Sequence, residues 1–185
     1  NQRLVRLTYE WLDKEKKRGD FRVKGIEVEG KINLGGLSLT TRLDRVDMLN
    51  DGRLIIIDYK TGESKITTMC GERPDEPQLP LYLLASQSDA ASAVVFAQVK
   101  MGKMKFKALA RDNDLLPSVK ADPEWEQLIV SWRTDLTRIA ESFSKGDAKV
   151  SPKKYPETCR NCDLEPFCRI SERTEDAYVE SEDGA

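Results

Sequence analysis

The sequence predicts one α/β (α+β) domain, a mixed central sheet flanked by helices. Three observations predict it. Strand-length runs that alternate or are wholly apolar are interleaved with longer runs of helical period. The order reads helix, three strands, helix, two strands, helix, which suits a mixed sheet. The chain has 185 residues, 39% of them hydrophobic, enough for a single domain with a full core.

Each element has a local cause. Residues 2 to 18 form an amphipathic helix, with Leu4, Leu7, Trp11 and Leu12 expected on its buried face, and Gly19-Asp20 ends it. Phe21, Val23, Ile26, Val28, Ile32 and Leu34 mark a strand running into the turn Gly35-Gly36. Leu37, Leu39, Thr41 and Leu43 return as its hairpin partner, continued by Val46 and Met48. Asn50-Asp51-Gly52 is a tight-turn signal. Leu54-Ile55-Ile56-Ile57 is continuously apolar, as a central strand covered on both faces requires, and it ends at Asp58-Tyr59-Lys60. Residues 63 to 77 are polar, with Pro74 and Pro77, and read as a mobile loop. A helix follows from Gln78 to Ser88, with Pro80 tolerated in its first turn. Residues 93–101 and 103–110 read as a hairpin around Gly102. Asp122 caps the last long helix and Pro123 starts it; Trp125, Leu128, Ile129, Trp132, Leu136 and Ile139 line one face, and Gly146 ends it.

Composition removes several function classes. There are no histidines, so serine–histidine and cysteine–histidine catalysis and every histidine metal site are excluded. No apolar run approaches the roughly 20 residues of a membrane span, so no membrane partner is expected. The net charge is −2, from 30 basic and 32 acidic residues, with acids dense from Glu172 to Asp183 and bases recurring from Lys100 to Lys107 and at Lys149, Lys153 and Lys154. Cys70 stands alone while Cys159, Cys162 and Cys168 cluster, a spacing closer to a thiolate metal site in a reducing compartment than to a disulfide framework. A cytoplasmic location is expected. A start at Asn1, already inside a helical pattern, is read as a piece of a longer polypeptide.

The chemistry concentrates in Arg42-Leu43-Asp44-Arg45-Val46-Asp47 and, after the turn, Asp58-Tyr59-Lys60-Thr61-Gly62. A hairpin closed at residues 50–52 sets Asp44 beside Asp58. Residues two apart on a strand share a face, so Asp58 and Lys60 point together and Tyr59 points away. Two carboxylates and an amine suit a hard Mg²⁺ or Mn²⁺ ion that also meets a phosphate. Alone, Asp-Tyr-Lys is also what a solvated ion pair at a strand end looks like. Gln78 and Tyr82 fall four apart on one helix face, and alone they are also what a polar helix surface looks like. Asp47 is expected in a structural ion pair with Arg45 or a turn neighbour.

Together these motifs resemble the PD-(D/E)XK nuclease superfamily, and within it the RecB-like and AddB-like branch. That branch carries an Asp in a Gly-x-Ile-Asp-Arg-x-Asp strand, then Asp-Tyr-Lys-x-Gly, then Gln-x-x-x-Tyr on a helix. The matching residues are Asp44, Asp58, Lys60, Gln78 and Tyr82, in order, within residues 20 to 100. The resemblance implies a restriction-endonuclease-like sheet. It implies a divalent metal on Asp44, Asp58 and the main-chain carbonyl of Tyr59, with Lys60 at the attacking water and Gln78 and Tyr82 at the DNA or the site's edge. Glu27 matches a Glu often found on the preceding strand, with Glu29 as a competitor. Glu10 is a possible stand-in for an upstream ligand that many members carry.

The same branch ends in Cys-x₂-Cys-x₅-Cys, matched here by Cys159, Cys162 and Cys168, and completes a [4Fe–4S] cluster with a Cys upstream of the core. No Cys precedes Cys70, so the fourth ligand is expected to lie outside this fragment, in which case the cluster belongs to the full-length protein; Cys70 in a zinc site is the chemical rival. The expected organisation is a nuclease core over residues 1–150, a cysteine-rich metal segment packed on it over 151–170, and a disordered acidic tail over 171–185. The implied function is metal-dependent hydrolysis of single-stranded DNA, as an exonuclease in repair or recombination, fed by a helicase-like part of the parent protein. An inactive DNA-binding or scaffold module on the same fold, and a zinc-ribbon interaction module, are the alternatives.

Overall fold

In the computed structural model, residues 2–86, 89–170 and 172 are described. The chain divides into two compact units, residues 1–145 and 146–185. The first holds α1 (Gln2–Glu15), β1 (Phe21–Leu34), β2 (Leu37–Leu49), β3 (Leu54–Lys60), a 3-10 turn (Ile66–Met69), α2 (Gln78–Ser86), β4 (Ala91–Gln98), β5 (Lys105–Ala110) and α3 (Trp125–Ser144). The second holds a 3-10 turn (Glu157–Cys159) and a single-turn helix, α4 (Glu165–Cys168). The expected acidic tail, apart from Glu172, lies outside the described residues. Among the described residues no helix is long and apolar enough to cross a membrane.

The first unit is a three-layer α+β fold. The sheet runs β1-β2-β3-β4-β5. Every pair is antiparallel except β3 and β4, which are parallel. A parallel pair cannot be closed by a tight turn, so residues 61–90 must cross over one face, and α2 rides on that crossover. On this face Leu43, Leu54, Ile56, Val94 and Phe96 pack with Leu79, Leu83, Leu84, Trp132 and Leu136 of α2 and α3. On the other, Ile55, Ile57, Val95 and Ala97 pack with Trp11 of α1 and with Leu115 and Leu116. β3 is therefore buried on both faces, as its unbroken apolar run foretold.

Differences from the sequence reading have local reasons. Leu4 and Leu12 of α1 are 68% and 44% exposed, because the helix turns Trp11 and Glu15 toward the sheet instead. Residues 63–77, expected as a mobile loop, contain an ordered 3-10 turn with Met69 fully buried. The Trp132 indole N–H donates to the Met69 carbonyl at 2.7 Å, and the Glu76 N–H to the Thr68 carbonyl at 3.0 Å. α3 begins at Trp125, two residues beyond Pro123; the Asp122 carboxylate accepts the Glu124 N–H at 2.9 Å as the chain enters it. The turn glycine Gly35 has φ +54°, and an added Cβ would lie 2.5 Å from the Glu141 nitrogen of α3. Only a residue without a side chain lets that hairpin meet the helix.

Candidate active site

The β2–β3 ladder pairs Arg45 with Ile57, so Asp44 and Asp58 stand one step further on, at the end where the strands part. The Asp44 carboxylate accepts the Tyr59 N–H at 2.7 Å. Asp58 and Lys60 share a face, with Lys60 Nζ 3.0 Å from Asp58 Oδ2. Lys60 Nζ also lies 2.9 Å from Glu76 Oε2, which arrives from the crossover just before α2. One ammonium thus sits between two carboxylates, with a third carboxylate clamped to the intervening peptide.

The electrostatics follow from burial. Asp58 is held above the ordinary carboxylate range chiefly by desolvation; Lys60 opposes this, while Asp44 and Glu76 reinforce it. Burial acts to lower the Lys60 pKa, but Glu76 and Asp58 together raise it above its usual value, so the amine is an ammonium at neutral pH. Among the described residues, buried Asp58 Oδ2 and Glu76 Oε2 receive no aligned hydrogen bond, although each is within ion-pair distance of Lys60.

Tyr59 projects through to the other face. Its hydroxyl accepts from Arg45 Nη1 at 2.9 Å, and its ring meets Trp11 edge-on with centroids 5.7 Å apart. Arg45 also grips Asp47 through Nε at 2.6 Å and Nη2 at 2.9 Å, the ion pair expected from the sequence. Arg18 completes the network, 2.7 Å from Asp47 and 2.8 Å from Glu15, with its guanidinium 3.8 Å from the Phe21 ring centroid. For Arg45 too, burial acts to lower the pKa, but Asp47, Tyr59 and Glu15 outweigh it and raise it further. The strand that carries Asp58 and Lys60 is thereby fixed from behind.

The remaining expected residues are placed as follows. Gln78 Nε2 donates to the Arg42 carbonyl at 2.8 Å, tying the start of α2 to β2. Tyr82 is buried, and burial raises its phenol pKa. Its ring lies over β1, where a Cβ at Gly30 would come within 3.4 Å of it. Glu27 has φ +50°, an uncommon conformation for a residue with a side chain, and its carboxylate pairs with Arg42 at 2.5 Å rather than with Asp58 or Lys60. Glu29 stands opposite Arg42 in the ladder. Glu10 accepts the Gly102 N–H at 3.1 Å and pairs with Arg6. Glu76 was missed by the sequence reading. Its only signal there is an acid two residues ahead of Gln78.

Among the described residues, no three His, Cys, Asp or Glu side chains converge as a ready metal-binding group. The donors around Asp44 and Asp58 nonetheless fit a hard divalent ion. They are all oxygen, two carboxylate oxygens nearby lack aligned donors, and Mg²⁺ keeps several waters while bound by one or two carboxylates. In the second unit, the Cys162 N–H donates to the Cys159 carbonyl at 3.0 Å and the Cys168 N–H to the Leu164 carbonyl at 3.0 Å. None of the four cysteines is in a disulfide.

Fold and site together define an α+β protein with an acid–lysine centre at one end of its sheet. The chain belongs to the PD-(D/E)XK nuclease superfamily, whose family model matches residues 1–169. Members of that superfamily are typically nucleases that use divalent ions such as Mg²⁺. A solved structure, "Crystal structure of SSO0001", is similar over 90% of this chain and 68% of its own, with 19% identity and a TM-score of 0.47.

Proposed function

We propose that the chain hydrolyses phosphodiester bonds of single-stranded DNA, as the nuclease part of a repair or recombination protein that receives its strand from a helicase-like region. The observation that carries this reading is the approach of Lys60 Nζ to Asp58 Oδ2 beside the Asp44 carboxylate. Asp44, Asp58 and the main-chain carbonyl of Tyr59 would hold Mg²⁺ or Mn²⁺. Such an ion supplies Lewis-acid polarisation of the phosphate and lowers the pKa of water bound to it. Lys60, kept charged by its two carboxylates, orients the attacking water and offsets charge growing on the phosphate oxygens. Gln78 and Tyr82 set the position of α2, and through it of Glu76. Glu27 and Arg42 form the rim on the β1 side.

The three clustered thiols, Cys159, Cys162 and Cys168, supply three soft ligands, and a [4Fe–4S] centre needs a fourth. A cluster completed by a ligand from another chain or segment is the reading here, with zinc as the rival metal. Iron, sulfide and zinc analysis of the purified parent protein decides between them.

The test of the catalytic reading is cleavage of end-labelled single-stranded DNA in Mg²⁺ or Mn²⁺, by the wild type beside Asp58→Ala and Lys60→Ala. Cleavage is expected from the wild type alone and none in EDTA. Equal cleavage by all three proteins would remove the assignment. DNA binding without cleavage by the wild type would favour the inactive scaffold.

A further inference from the structure

The sheet register extends the site toward its β5 edge. Lys60 is paired with Gln98, and Gln98 with Lys105; Asp58 is paired with Phe96, and Phe96 with Lys107. Residues opposite one another in a ladder point to the same face. Lys105 and Lys107 therefore share the face of Asp58 and Lys60, two strands over, about 10 Å away at the backbone. The turn joining β4 to β5 adds Lys100 and Lys103. It is firmly mounted: the Lys103 N–H donates to the Lys100 carbonyl at 2.8 Å, and buried Gln98 donates its Nε2 to the Lys103 carbonyl at 3.0 Å.

Among the described residues, Glu10 and Glu63 reach this turn, Glu10 by accepting the Gly102 N–H at 3.1 Å. Glu63 Oε1 lies 3.3 Å from Lys103 Nζ and 3.5 Å from Lys100 Nζ, all three groups being solvent-accessible. Lys107 donates to the Ser64 carbonyl, leaving its charge without a paired carboxylate among the described residues. The opposite flank is of mixed charge, since β1 carries Arg22, Lys24 and Lys31 beside Glu27 and Glu29, and Arg42 is already paired with Glu27. A polyanion entering the site meets positive potential on the β5 side.

We infer that the β4–β5 hairpin is the phosphate track of the substrate strand. Lys105, Lys100 and Lys103 take the phosphates adjoining the one at Lys60, and Glu63 holds Lys100 and Lys103 until DNA displaces it. This rests on the DNA-cleaving reading above and adds the direction in which the strand lies.

The test is fluorescence anisotropy of a labelled oligothymidylate titrated in EDTA at several salt concentrations, with circular dichroism to verify folding. Three proteins are compared: wild type, K100A/K103A/K105A and Glu63→Gln. The triple variant should bind at least tenfold more weakly. Its plot of log K against log salt should be shallower by about 2, since each single-strand phosphate that the protein no longer neutralises takes about 0.7 from the slope. Glu63→Gln should bind a few-fold more tightly than wild type, the opposite sign from any general damage to the hairpin. A folded triple variant with wild-type affinity and slope overturns the track while leaving the catalytic reading intact. Failure of the wild type itself to bind the oligonucleotide overturns the track, and the cleavage assay in Mg²⁺ decides the catalytic reading separately.

Discussion

Asp47 is fully buried on the α1 side of the sheet, where it accepts from Arg45 and sits 2.7 Å from an equally buried Arg18. Replacing it with alanine leaves the Arg18 guanidinium, 1% exposed, with Glu15 as its remaining carboxylate among the described residues, where Nε and Nη2 already lack partners. Breaking a buried charged pair by deleting one member costs about 3–5 kcal/mol, most of it the uncompensated charge left behind. A domain of this size loses about 2–4 °C of Tm per kcal/mol, so Asp47→Ala should melt roughly 6–20 °C lower. Asp47→Asn keeps one acceptor and should fall in between. The assay is thermal denaturation by circular dichroism, with Arg18→Met/Asp47→Leu as a companion that removes both charges. That double variant should recover a large part of the loss, because an apolar replacement of a buried pair is often neutral. An Asp47→Ala protein melting within about 2 °C of wild type would refute the argument that this network holds α1 to the sheet.

Other perturbations probe the site and the frame. Burial raises the Asp58 pKa above the ordinary carboxylate value. A raised folded-state pKa contributes stability fully below the unfolded value and loses it as pH rises through the folded one. At pH 7 in EDTA the ionised Asp58 therefore opposes folding, and Asp58→Asn should melt at or above wild type, with the advantage vanishing as pH falls toward 4. Adding Mg²⁺ at about 100 times its Kd should stabilise the wild type by about 2.7 kcal/mol and leave Asp58→Asn nearly unmoved; equal shifts would place the ion elsewhere. Glu76→Gln removes one of the two carboxylates on Lys60, a charged interaction of about 1.5–3 kcal/mol, and should lower kcat about tenfold or more with KM little changed. Steady-state kinetics showing no change in kcat would make Glu76 a bystander. Gly35→Ala forces a Cβ to 2.5 Å from the α3 backbone at positive φ and should cost about 2 kcal/mol or more in a urea melt; a neutral result would mean that the hairpin and helix part easily.

Much of the frame was legible because its determinants are local. β1 and β2 were readable from alternation and from the turns at Gly35-Gly36 and Asn50-Asp51-Gly52, and the buried run 54–57 announced a central strand. Period two was enough to set Asp58 with Lys60 and Tyr59 against them. What the sequence withheld depends on distant partners. Glu76 reaches Lys60 only because residues 63–77 are folded down by Trp132, 63 positions after Met69. Gln78 could be placed on a helix face, but not on the carbonyl of Arg42, 36 positions earlier. Glu27 could be placed on the strand before Asp44, but its left-handed backbone and its pairing with Arg42, 15 positions later, could not be read. The apolar face of α1 was misjudged at Leu4 and Leu12, since a buried acid, Glu15, occupies a place that periodicity reserves for hydrocarbon.

The one parallel pairing in the sheet has a bearing on how the molecule can change over time. Because β3 and β4 run the same way, the chain must make a thirty-residue excursion between them, and that excursion delivers Glu76, Gln78 and Tyr82. The detour demanded by topology and the segment that brings Glu76 to Lys60 are one. Insertions can accumulate at the Asn50–Gly52 hairpin tip without touching chemistry. A deletion in the detour removes strand connectivity and the Glu76 carboxylate together, so this partner of Lys60 cannot be discarded while the fold persists.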